Sequence, residues 1–138
     1  MNSERIVRHS RSFDAVPFAA SEARSFVGVT LRDGGASQRA VDDFRLVVSE
    51  LVANLVEHGD GAGFDVYVEG PVAGAWVLGI ECAVAAAGAS LPDPHAWAVA
   101  DPDEASGRGL GIVRTLMDDI TLEAADGRLT IRCIRHST

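Results

Sequence analysis

Apolar residues recur along this chain at two periods, and the switches between those periods mark its elements. Residues 5–13 interleave apolar and polar side chains as a strand with one polar side, the pattern of a sheet edge. Pro17 fits a first helical turn, and Ala20, Ala23, Phe26, Val27 and Leu31 continue an amphipathic helix that Gly34-Gly35 breaks. Ser37 suits the N-cap of a longer helix running to His58. Val41, Phe44, Val48, Leu51, Val52 and Leu55 give that helix one apolar face, and Gly59 suits the left-handed residue that closes it. Residues 64–69 alternate as a strand, Gly70-Pro71 reads as a turn, and 75–84 read as a buried strand. The stretch 85–106, rich in Ala, Pro, Gly and Asp, is too long for a plain connection and reads as a functional lid. Residues 109–117 are helical, and 120–124 and 129–134 form a hairpin about Asp126-Gly127. About five strands and about three helices, with no internal repeat or linker, predict a single domain over 1–138. It is an α/β two-layer sandwich with the helices on one face of the sheet.

Composition narrows the classes. A chain of 138 residues, 47% hydrophobic, can bury a real core. A net charge of -8 argues against a nucleic-acid binder and makes a basic protein surface the more natural partner. All 12 basic residues are Arg. No run reaches the ~18 apolar residues of a membrane helix and no signal peptide is visible, so a cytoplasmic protein with no membrane partner is expected. Cys82 and Cys133 lie in strand-like runs at no zinc spacing and read as reduced core thiols.

The chemistry gathers in two places. On the long helix Glu50, Asn54, Glu57 and His58 fall in one stripe beside the apolar face, so an acid, an amide and an imidazole border a buried surface. Such a stripe is either a solvated polar face or the floor of a pocket. Further on, Gly107-Arg108-Gly109-Leu110-Gly111 opens the next helical pattern. Glycines there let backbone amides approach an anion where the helix dipole favours one, or simply allow a close helix–strand contact.

Glu50 with Asn54, and then the Gly107–Gly111 run, resemble the N-box and second glycine box of the GHKL ATPase superfamily. Within it the chain is similar to the compact RsbW/SpoIIAB group of anti-sigma factors that are also serine protein kinases. Phe13, Arg24-Ser25-Phe26-Val27 and the run from Phe44 to Leu51 carry the likeness through most of the chain. The resemblance implies the Bergerat fold, a mixed, mostly antiparallel sheet under helices, and a site for ATP and magnesium. It implies Glu50 as the catalytic base that orients or deprotonates a hydroxyl, and Asn54 as the magnesium ligand. His58, Gly88, Gly107, Arg108, Gly109, Leu110 and Gly111 would complete the nucleotide site. His58 could equally be a last-turn residue favoured by the helix dipole, and Arg108 a solvated side chain.

The family's first glycine box is degraded here. Aligned on Gly88, the acid that reads the adenine amino group is Val84, and the first glycine is Ala86. Glu81 lies three residues earlier on a strand and would point to the opposite face. ATP binding is therefore expected to be weak. The resemblance implies a sigma factor or a STAS-domain anti-sigma antagonist as partner, exchanged by partner switching with Arg24 near the contact, and allows a homodimer. Two rivals stay open: a catalytically inactive binding module of the same fold, and the ATPase half of a split histidine kinase.

Overall fold

The computed structural model describes residues 6–58, 61–83 and 105–137. Its elements run β1 (Val7–Phe13), α1 (Ala19–Asp33), α2 (Gln38–His58), β2 (Phe64–Val72), β3 (Ala75–Ala83), α3 (Ala105–Leu116), β4 (Asp119–Ala125) and β5 (Arg128–His136). The strands form one sheet in the order β1-β2-β3-β5-β4, with every neighbouring pair antiparallel. Two layers result, as expected, and β1 is the predicted edge.

Alternation along the strands sorts the sheet into a covered and an uncovered face. Phe64, Val66, Val68, Trp76, Leu78, Ile80, Cys82, Ile131 and Cys133 are buried and share one core with Val27, Phe44, Leu51 and Val113 from the helices. Each fully buried side chain of that size contributes about 1.5–3 kcal/mol. The uncovered face carries Arg8, Asp65, Tyr67, Glu69, Glu81, Arg128 and Arg132, tied by ion pairs of Arg8 to Glu69 (3.2 Å) and Arg128 to Asp65 (3.1 Å). Glu81 lies on this face, as its spacing predicts, within 3.4 Å of Arg8.

The helix ends follow local chemistry. Ser37 caps α2, its Oγ accepting from the Ala40 amide at 3.1 Å, while the Ser37 amide donates to Ser137 Oγ at 2.8 Å. The far end of the chain is thereby pinned over the start of the long helix. α1 begins two residues after Pro17, because the chain first makes a turn in which the Ala19 amide donates to the Val16 carbonyl at 2.9 Å. α1 ends where Gly35 takes φ +90°, letting the Ala36 amide reach back to the Leu31 carbonyl at 3.0 Å. Gly34 must lack a side chain, since its Cβ would stand 2.3 Å from Cη2 of Trp76.

Two boundaries differ from the sequence reading. Gly70-Pro71 lies inside β2, at a register shift, and the turn falls at Ala73-Gly74, where φ is 51° and 79°. Proline cannot donate to the ladder, so it marks an irregularity in the strand rather than its end. The helix α3 starts at Ala105, ahead of the expected Gly109, so the glycines sit within its first turns. The predicted lid, 85–106, lies outside the described residues except for its last two. The hairpin is as predicted, with Asp126 and Gly127 at φ 54° and 77°.

Candidate functional site

α2 borders the core along two lines. The line toward α1 holds Arg45, Ser49 and Val52, and the other holds Asp43, Glu50 and Asn54. On the first line Arg24 of α1 donates to Ser49 Oγ at 3.1 Å, and Ser49 Oγ donates to the Arg45 carbonyl at 2.9 Å. Close helix approach permits this, since a Cβ on Gly28 would meet Arg45 Cδ at 3.0 Å. Arg24 therefore clamps the helix pair one residue from Glu50, a tie the sequence did not reveal.

On the second line Asp43 receives Arg135 of β5, with Nη2 2.8 Å and Nε 2.9 Å from one carboxylate oxygen. Two turns further on, Glu50 is half-buried and has no ion-pair partner among the described residues. One turn beyond that, Asn54 is 6% exposed, and its buried Nδ2 has no hydrogen-bond partner among the described residues. A buried unsatisfied donor costs about 1–3 kcal/mol, so a fold without use for that amide would favour an apolar residue there. The unpaired amide is the polar feature of this helix that its own packing does not explain.

α3 packs against α2 on the same side of the sheet. Leu110 and Val113 enter the core beside Leu51 and Leu55, and Gly111 is buried. The side chain of Leu110 is thus spent on packing, leaving only its backbone for a ligand. Gly107 falls in the first turn of α3, where amides lack helical partners, whereas Gly109 lies a turn further in, where helical geometry pairs its amide with the carbonyl four residues back. The His58 side chain lies outside the described residues, as do Arg108's side chain and the whole of Val84, Ala86 and Gly88.

A cleft of about 320 Å³ lined by Ser12, Asp14, Gly63, Asp65 and Arg128 lies elsewhere, at one end of β1 and β2. It holds none of the predicted residues, and Arg128 and Asp65 there already neutralise each other. Among the described residues no cluster of His, Cys, Asp and Glu could by itself hold a metal, and no helix is long and apolar enough to cross a membrane. Magnesium commonly takes only one or two protein oxygens, a part that Oδ1 of an Asn can play, whereas the unpaired Nδ2 of Asn54 is a donor and suits an anionic or water oxygen. Burial pushes the Cys133 thiol up to about 12, which leaves it a core residue rather than a nucleophile.

The profile of the histidine kinase-like ATPase domain matches residues 13–135. The chain belongs to that family. Solved structures that resemble this ATPase-family domain include two partner-switching relatives by fold. The RsbU and RsbW domains of Rv1364c from Mycobacterium tuberculosis superpose with a TM-score of 0.68 at 19% identity, over 94% of this chain and 32% of that one. The chain thus spans about a third of the length of that one. The SiaB-SiaC complex of Pseudomonas aeruginosa gives a TM-score of 0.61 at 17% identity, over 95% of this chain and 90% of the other. At such identities the likeness is one of fold. No curated protein matches the chain. Membership of a nucleotide-binding family accords with the unpaired amide on α2.

Proposed function

We infer that this histidine kinase-like domain is a partner-switching regulator whose nucleotide site is kept at its phosphate and metal end and weakened at its base end. The observation that supports this most is the buried Nδ2 of Asn54, a donor with no partner among the described residues, which suits a phosphate or water oxygen and leaves Oδ1 of the same amide for a cation. Asn54 would hold magnesium through Oδ1, and the free amide of Gly107 in the first turn of α3 would face phosphate oxygens, with Gly109, Leu110, Gly111, His58, Arg108 and Gly88 lining the site. Bound ATP would supply the phosphoryl group. Glu50, half-exposed and unpaired among the described residues, can accept the proton of a serine hydroxyl brought to it. The partners would be a sigma factor and a STAS-domain antagonist, in line with the RsbW-like fold.

Val84 and Ala86 favour a second reading, in which the same fold exchanges partners without turning over nucleotide. Calorimetric titration of magnesium-ATP tests the weakened base end, and transfer of the γ-phosphoryl to a serine of a partner separates the two readings. Loss of a charged hydrogen bond at the base predicts affinity about ten- to several-hundred-fold below an intact site. Val84→Asp with Ala86→Gly should recover much of it. Tight binding by the wild type, or no gain in the double variant, contradicts the first reading.

A further inference from the structure

β1 leaves one edge of the sheet open. It pairs with β2 alone, through a ladder that runs without a shift from Val7 to Phe13. Its five middle residues, Arg8 to Ser12, are all exposed. Such an edge offers a row of unpaired amides and carbonyls, which chains normally guard with a proline, a bulge or outstanding charges. β1 has neither proline nor bulge. Its two arginines lie down on their own neighbours, Arg8 on Glu69 at 3.2 Å and Arg11 on Glu22 of α1 at 3.3 Å.

Beside this edge runs a groove of about 310 Å³, lined by Val7 and His9 of β1 and by Val29, Thr30 and Asp33 of α1. Alternation turns Val7, His9, Arg11 and Phe13 toward the helix layer. Near Phe13 strand and helix close on each other, its ring 6.2 Å from that of Phe26; near Val7 they leave the groove. Val29, on its wall, is 53% exposed. The charges about the groove are few. Arg11 and Glu22 cancel, Arg8 stands on the opposite face, and Arg32 lies one turn beyond Gly28, on the flank of α1 turned to α2. The carboxylate of Asp33 meets no cation among the described residues. With His9 uncharged, as in the formal count at pH 7, the groove is negative.

We propose that β1 and this groove take an extended peptide segment as a sixth strand, with an apolar and a basic side chain turned toward α1. An open strand edge complements only another extended backbone, which fixes the occupant's conformation. An added strand sends every second side chain inward, about 7 Å apart, so the span from Val7 to His9 admits two. One, apolar, covers Val7 and Val29; the other, a Lys or Arg, meets Asp33. The net charge of -8 favours the same occupant. This site lies on the flank of α1 away from Arg24, which points to Ser49 of α2. It goes beyond the partner-switching reading and stands on the edge and the groove, whatever the state of the nucleotide site.

The test adds the peptide Thr-Val-Thr-Lys-Thr-Val-Thr to the isotope-labelled chain, with a twin in which Glu replaces Lys. The Lys peptide should shift amides in 7–13 and 29–34, leave 119–125 in place, and slow hydrogen exchange at alternate amides of β1. Asp33→Asn should weaken it about two- to fivefold, as for an exposed ion pair. Val29→Arg, which fills the groove and sets a like charge against the Lys, should weaken it about tenfold or more. Both positions are exposed, and the dispersion of the same spectrum reports that the variants are folded. Equal binding of the Glu peptide, shifts confined to 119–125, unslowed exchange along β1, unchanged affinity in Val29→Arg, or no binding of the Lys peptide would each overturn the proposal. The response to magnesium-ATP depends on Asn54 and not on this groove, so failure of the nucleotide reading is seen separately.

Discussion

The ring of Tyr67 lies across Gly79 so closely that a Cβ at position 79 would stand 2.0 Å from its Cζ. The two residues are cross-strand partners on the uncovered face, and Arg8 closes over the ring with its guanidinium carbon 3.9 Å from the centroid. A large aromatic is thereby buried without a covering helix, and the Tyr67 hydroxyl titrates above its usual range, chiefly through desolvation. Gly79→Ala must expel the ring. We expect a loss of about 2 kcal/mol or more in urea unfolding, as for an overpacked core, while Gly74→Ala, which faces open space, costs only its left-handed strain. Equal effects at the two positions would contradict the packing described.

Arg135 joins the last strand to α2 across 92 residues of sequence, and it is 8% exposed. Replacing it by Met leaves the half-buried Asp43 without its cation. Breaking a buried pair costs about 3–5 kcal/mol, and partial exposure of Asp43 should reduce that to about 2 kcal/mol. Asp43→Asn in the same background should return part of the loss. A double variant no more stable than Arg135→Met alone would show that packing of the arginine stem, and not the charge, is what matters.

Asp118 accepts both the amide and Nδ1 of His136, at 2.8 and 2.9 Å, and the side-chain bond is the larger reason its carboxyl lies below the ordinary 3.8. Because the folded value is the lower one, the stabilisation is complete above the unfolded value and is lost as pH falls through the folded value. Asp118→Asn should therefore unfold more easily than the wild type near neutrality and equally easily in strong acid. The group is more than half exposed, so the difference should be small. A gap that widens as pH falls through the carboxylate range would contradict this account.

The element order was legible because periodicity survives without tertiary knowledge: a 3.6-residue pattern in α2, alternation in the strands, and Asp126-Gly127 at the hairpin. Ser37 as a cap was legible for the same local reason. The β2–β3 connection was misread because Gly70-Pro71 carries a strong turn signal, yet the ladder continues past it to Ala73-Gly74. Contacts set by register or by distant pairing, such as Tyr67 over Gly79 and Arg135 on Asp43, leave no trace in a single sequence. For the site, the spacing of Glu50 and Asn54 placed both on one border of α2. That Asn54 is buried without a partner became visible only with the helix packed.

The central claim is that Asn54 is kept for a ligand and not for the fold, and thermal unfolding of the wild type and Asn54→Leu, each with and without magnesium-ATP, tests it most directly. Removing an unsatisfied buried amide should leave the ligand-free protein as stable or more stable, by about 1 kcal/mol. Saturating nucleotide should raise the wild-type midpoint, a ligand at 100 times its dissociation constant adding about 2.7 kcal/mol, and should leave Asn54→Leu unmoved. A ligand-free variant destabilised by several kcal/mol, or one that still responds to magnesium-ATP as the wild type does, would contradict it.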